Sequence, residues 1–160
     1  MLKSPTRTAM SSEYMPHFVE GTKAIFHTIL GWDIKMSSRE HGKEFRSGHD
    51  VSGIISFSGE VQGMIVLSID KQVGFEATKA FTGEWPATIN NDVRDMVAEL
   101  ANMIAGRAKE LINIEEIALG LPTSVSGTDH VVSFNPVAEV ESVRFRSPGG
   151  NISIQIAMQR

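Results

Sequence analysis

Residues 88–113 carry the longest stretch of helical periodicity in the chain. Wound at about 100° per residue, Ile89, Val93, Met96, Val97, Leu100, Met103, Ile104 and Leu111 gather on one side. A helix this long with one apolar side needs a broad apolar surface to cover it. The chain supplies that surface as β-rich runs over 51–57, 62–69, 137–146 and 151–158. Ser58-Gly59-Glu60 reads as the turn of one hairpin and residues 147–150 as the turn of a second. A further helix is predicted over 16–30. Pro16 takes its first position, Phe18, Val19, Ile25, Phe26, Ile29 and Leu30 form its apolar side, and Gly31 stops it. Asp70 is expected to cap a short helix over 71–82 that Gly83 ends, and 122–126 to be a short extended piece. Residues 35–50 read as edge strand and loop. The order helix, hairpin, helix, long helix, hairpin predicts an α/β domain of α+β character. In it a largely antiparallel sheet packs against two long helices and a short one. Residues 1–14 read as a flexible polar lead-in and 15–160 as the single domain.

Composition narrows the function classes. The 160 residues hold 15 Lys and Arg against 19 Asp and Glu, a net charge of −4. That balance offers no broad attraction for nucleic acid or an anionic membrane surface. There are no cysteines, which removes thiolate catalysis and every Cys-based metal site. No apolar run approaches the roughly 20 residues of a membrane span, and no signal-peptide core precedes the first helix, so the expected location is cytoplasmic. His17, His27, His41, His49 and His130 make no helical zinc spacing. No Gly-rich phosphate loop or dinucleotide fingerprint occurs, and Ser124 and Ser126 do not sit in a nucleophile elbow. Asp129 and His130 read as a solvated pair at a turn. The chain has no evident nucleophile, metal or cofactor of its own.

The long helix also carries a second row. Asp95, Glu99, Asn102 and Gly106 follow one another at spacings of four, three and four, on nearly the opposite side from the apolar stripe. Ala98, Ala101 and Ala105 flank this row, and small residues there would let another protein's backbone approach. A polar outer face is ordinary for a surface helix. Two features of this one work against its stability, however. Asp95 and Glu99 are like charges one turn apart, and Gly106 costs roughly 1 kcal/mol relative to Ala in a helix interior. Both favour a role toward a partner.

Asp95-Met-Val-Ala-Glu99-Leu-Ala-Asn102-Met-Ile-Ala-Gly106 resembles the signature of the CheC/CheX/FliY chemotaxis phosphatases. That signature runs Asp or Ser, three residues, Glu, two residues, Asn, and a later Pro. Here the Pro is Pro122, within Gly120-Leu-Pro-Thr-Ser-Val-Ser-Gly127, separated from Asn102 by 19 residues (103 to 121), a few fewer than in the family pattern. The first helix offers only Glu20-Gly-Thr-Lys23, with Lys where a second motif would need Asn. One motif rather than two is what CheX-like members carry.

The resemblance implies a hydrolase acting on the aspartyl phosphate of a CheY-like response-regulator receiver domain. It implies that Asn102 positions the attacking water and that Glu99 pairs with the receiver's Lys. Asp95, Gly106 and Pro122 would be docking residues. It further implies that the receiver supplies Mg²⁺, so that the chain needs no cofactor or metal of its own, and that the protein is a homodimer joined through sheet edges, in 35–50 or 137–158. The alternative is a catalytically silent receiver-binding adaptor of the same fold.

Overall fold

A computed structural model describes residues 6–42, 45–46, 49–112, 116–127, 130–132 and 139–159. In chain order the elements are α1 (Thr6–Leu30), β1 (Lys35–Gly42), β2 (Phe45–Arg46), β3 (Val51–Gly59), β4 (Gln62–Ile69), α2 (Lys71–Thr82), α3 (Asn91–Leu111), β5 (Ile117–Leu119), β6 (Thr123–Ser126), β7 (Val131–Val132), β8 (Val140–Ser147) and β9 (Gly150–Gln159). The main sheet has the order β1-β8-β9-β4-β3-β5, and β6 pairs with β3 along the same outer edge as β5. Every pair is antiparallel. β2 and β7 form a separate two-stranded pair. This is the mixed, largely antiparallel architecture that the periodicity predicts.

The helices cover the sheet from one side. α1 packs on β8 and β9, α3 packs on β3, β4, β5 and β6, and the two helices pack on each other. Phe18 and Phe26 of α1 and Leu100 and Ile104 of α3 are buried against Ile55, Ile65, Leu67, Phe145 and Ile152 of the sheet. Two glycines bring these layers together. A Cβ on Gly53 of β3 would overlap the Val97 carbonyl and sit 3.0 Å from the Ala101 Cβ. A Cβ on Gly21 of α1 would lie 3.2 Å from the Ile104 carbonyl oxygen. At Gly53 only glycine lets the α3 backbone lie this close, whereas at Gly21 an added Cβ would be a tight fit.

Several expectations need correction. The first helix begins at Thr6, ten residues before Pro16, so residues 6–14 are helical rather than a flexible lead-in. Its early turns are held by buried Met10 and Met15 together with polar contacts to distant residues, and the polar contacts leave no mark in apolar periodicity. Ser11 is buried and its Oγ accepts from the Met158 N–H at 3.0 Å. Ser12 Oγ donates to the buried Glu141 carboxylate at 3.1 Å. Pro16 lies inside the helix, where it has no N–H to give the carbonyl four residues earlier. That carbonyl, on Ser12, instead accepts from the Arg39 guanidinium at 3.0 Å. Arg39 also pairs with Glu141, whose other oxygen lies 2.6 Å from His41 Nδ1.

Asp70 stands before α2 but does not cap it through its side chain. Its carboxylate accepts from the Asn151 N–H at 2.8 Å and lies 3.1 Å from His49 Nδ1. The neighbouring Asp50 instead accepts from the Lys71 N–H at 2.7 Å. Burial of His49 lowers its pKa below the ordinary 6.5, outweighing the raising effect of the Asp70 carboxylate. His130 is not a solvated turn residue. Its Nε2 lies 2.5 Å from Ser52 Oγ, and its Nδ1 lies 2.7 Å from the Gly127 carbonyl oxygen. Asp129 lies outside the described residues, as do 133–138, where one strand was expected to begin. Of the two stretches expected to offer free edges, β8 and β9 both lie inside the main sheet, and β1 is the strand that borders it.

Candidate functional site

α3 presents the ridge. Its first turn is set by Asn90, whose side chain accepts from the Val93 N–H at 3.1 Å, so the helix starts three residues later than its periodicity suggests. Val93, Val97, Leu100, Ala101, Ile104 and Ala108 turn inward. Asp95 and Glu99 are exposed, and Asn102 and Gly106 are half-exposed. The four therefore share the side of α3 that its own sheet leaves open. Successive members lie three or four residues apart, which sets their Cα–Cβ bonds roughly 5–6 Å from one another along the ridge. None of the Asp95, Glu99 and Asn102 side chains is hydrogen-bonded or ion-paired to another described residue.

The row has a chemical order. Asp92 in the first turn, Asp95 and Glu99 make the N-terminal half of the ridge acidic, next to the positive end of the helix dipole. Asn102 follows with an amide that both donates and accepts. At Gly106 a Cβ would meet no heavy atom within 4 Å. The chain's own packing therefore does not require glycine there, in contrast to Gly53.

The flanking alanines do not have the role expected of them. Ala98, Ala101 and Ala105 are buried, at 8%, 0% and 1% relative exposure. The close approach they allow is internal, with Ala101 facing Gly53 of β3. Of the row and its alanine flank, Gly106 is the position where open space borders the helix.

Pro122 is half-buried in the loop joining β5 to β6, next to Leu121, which is 89% exposed. The Gly120 N–H donates to the Ser56 carbonyl at 2.9 Å and holds the loop against β3. Apolar periodicity gives no sign of Leu121. Its exposure depends on how the β5–β6 loop leaves the sheet edge. Among the described residues no three His, Asp or Glu side chains converge to hold a metal ion, and no helix is long and apolar enough to cross a membrane.

A sheet of this order, covered on one side by α1 and α3 and carrying an acid–amide ridge on α3, defines a CheC-like α/β protein. The chain is similar to a CheC-like superfamily protein from Shewanella sp. PV-4, with a TM-score of 0.84 and 25% identity, covering 94% of this chain and 100% of that one. It is also similar to the chemotaxis protein CheX of Vibrio vulnificus, with a TM-score of 0.81 and 27% identity, covering 92% and 99%. The fold recurs in the CheX of a CheX–CheY–BeF3–Mg complex from Borrelia burgdorferi, at a TM-score of 0.74 and 22% identity over 92% and 98%. No curated protein matches the chain significantly. The family model described as chemotaxis phosphatase CheX matches residues 51–145, a span that contains the whole ridge and Pro122. The chain belongs to the CheX family.

Proposed function

We propose that this protein hydrolyses the aspartyl phosphate of a CheY-like receiver domain, with Asn102 positioning the water and Glu99 pairing with a receiver lysine. The observation that carries this reading is the ridge itself. An acid and an amide three residues apart stand on the open side of α3, with no hydrogen bond to another described residue. Membership of a chemotaxis phosphatase family supports the reaction class, and the Borrelia burgdorferi CheX complex with CheY supports the choice of partner.

The chemistry asks little of the chain. An acyl phosphate is already activated, because its leaving group is a stable carboxylate. Water attacks phosphorus, the bond from phosphorus to the carboxylate oxygen breaks, and the products are the free aspartate carboxylate and dihydrogen phosphate, which carries both of the water's protons until one passes to solvent. What limits the rate is holding a water in line. The Asn102 carbonyl oxygen accepts from that water, and its N–H donates to the water's oxygen or to a phosphoryl oxygen. Glu99, one turn earlier, neutralises a receiver Lys and sets the register of docking. Mg²⁺ comes with the receiver and screens the phosphoryl charge. Asp95 and Pro122 border the docked surface, and Gly106 lets the partner come close. In this reading the protein is a homodimer joined along β1, the free edge opposite the ridge.

The test is phosphate release from a phosphorylated receiver. Asn102→Ala loses most of the stimulated rate while docking persists, and Glu99→Ala weakens both. An unchanged rate in Asn102→Ala refutes the assignment. Binding without any stimulated hydrolysis by the unaltered protein identifies the silent adaptor instead.

A further inference from the structure

We infer that Leu121 is an apolar anchor that seats the receiver domain beside Asn102 and sets the affinity of docking, not the rate of the chemical step. This inference rests on the receiver-phosphatase reading above and adds a specificity residue to it.

The position of Leu121 follows from strand register and helix packing. Leu119 pairs with Phe57 and Thr123 pairs with Ile54, so the loop at 120–122 runs along the outer edge of β3 opposite Ile55 and Ser56. α3 lies over β3, with Gly53 beneath Val97 and Ala101. The helix ends at Leu111 just before β5, whose Ile117 pairs with Gly59, so α3 and β3 run in the same direction. Two to three residues along β3 from Gly53 is about 8 Å, which corresponds to about five residues along a helix. The loop therefore lies level with the turn of α3 that carries Asn102 and Gly106.

It also lies on the same flank. Ile104, Arg107 and Ala108 of α3 face α1 at Gly21. Asn102 sits about 160° around the helix from Ile104 and therefore faces away from α1, toward the side on which β6 packs.

Two features suit Leu121 to anchoring. It is 89% exposed, so the chain's own core gains little from it. Its neighbours hold it still: the Gly120 N–H is bonded to Ser56, and Pro122 restricts the backbone that follows. A side chain presented this way has little loop freedom to lose on binding. The occupant we assign is the receiver surface bordering its phosphorylated aspartate, presenting an apolar patch next to the lysine that meets Glu99. A second copy of this chain fits poorly. The proposed self-association edge, β1, is at the far side of the sheet, and a copy seated on Leu121 would cover Asn102.

The experiment compares steady-state dephosphorylation of a phosphorylated receiver by the unaltered chain, Leu121→Ser, Leu121→Met and Asn102→Ala, with sedimentation of each. Leu121→Ser raises KM about tenfold with kcat kept, as loss of a buried leucine contact predicts, and Leu121→Met restores most of it. Asn102→Ala does the reverse, lowering kcat with KM kept. An active parent together with a Leu121→Ser variant of unchanged KM overturns this inference and leaves the phosphatase reading intact. A parent inactive on every receiver overturns both. A Leu121→Ser variant that changes mass in sedimentation while keeping KM assigns the leucine to a self-interface and also overturns the inference.

Discussion

Replacing Gly106 by Ala separates what the fold needs from what a partner needs. Gly in the middle of a helix is destabilising by about 0.5–1 kcal/mol relative to Ala, largely through the entropy of the unfolded chain. That gain is often cancelled by crowding, as it would be at Gly53. At Gly106 an added Cβ meets no heavy atom within 4 Å, so no crowding offsets it. The variant should therefore unfold later, by about 1 kcal/mol, or about 3 °C for a chain of this size. Thermal and urea unfolding followed by circular dichroism measure this directly. Dephosphorylation of the receiver should meanwhile become several-fold less efficient, because the new methyl stands where the docked backbone comes close. More stability with less activity is the signature of a residue kept for a partner. Loss of stability would refute the open environment assigned to Gly106. Greater stability with unchanged activity would refute its docking role.

Two further predictions concern the scaffold. Gly53→Ala forces a Cβ into the Val97 carbonyl and lifts α3 from β3, so it should cost about 3 kcal/mol in urea unfolding; a midpoint equal to the parent's would show that the layers have slack. His49 titrates below its ordinary 6.5 in the fold because it is buried. The unfolded chain therefore binds the proton more readily, and stability falls as pH drops through about 6.5 toward the folded value. A His49→Gln variant should lose that part of the pH dependence between pH 7.5 and 5.5. Parallel profiles for the two proteins would refute the assignment.

The elements legible in the sequence are those whose burial is one-sided and apolar. β3, β4 and β9 alternate or run apolar, and α2 ends at Gly83, whose φ of 81° few other residues adopt readily. The ridge was legible because its spacing of four, three and four survives any small error in where the helix starts. What could not be read rests on long-range polar contacts or on topology. Ser11 and Ser12 hold the start of α1 through partners 128 to 147 residues away. Ala98, Ala101 and Ala105 look like a docking flank until all three are seen to be buried, Ala101 against Gly53. Leu121 gains meaning only when β5 and β6 are set on one edge of β3.

The proline within α1 has a consequence beyond local geometry. A helical carbonyl that would have been served four residues along the same helix is served by a guanidinium on the border strand. The opening turns of α1 and the strand at 35–42 therefore share one fastening, and unzipping either strips a hydrogen bond from the other. Local opening of the N-terminal turns is thereby coupled to opening of the sheet margin.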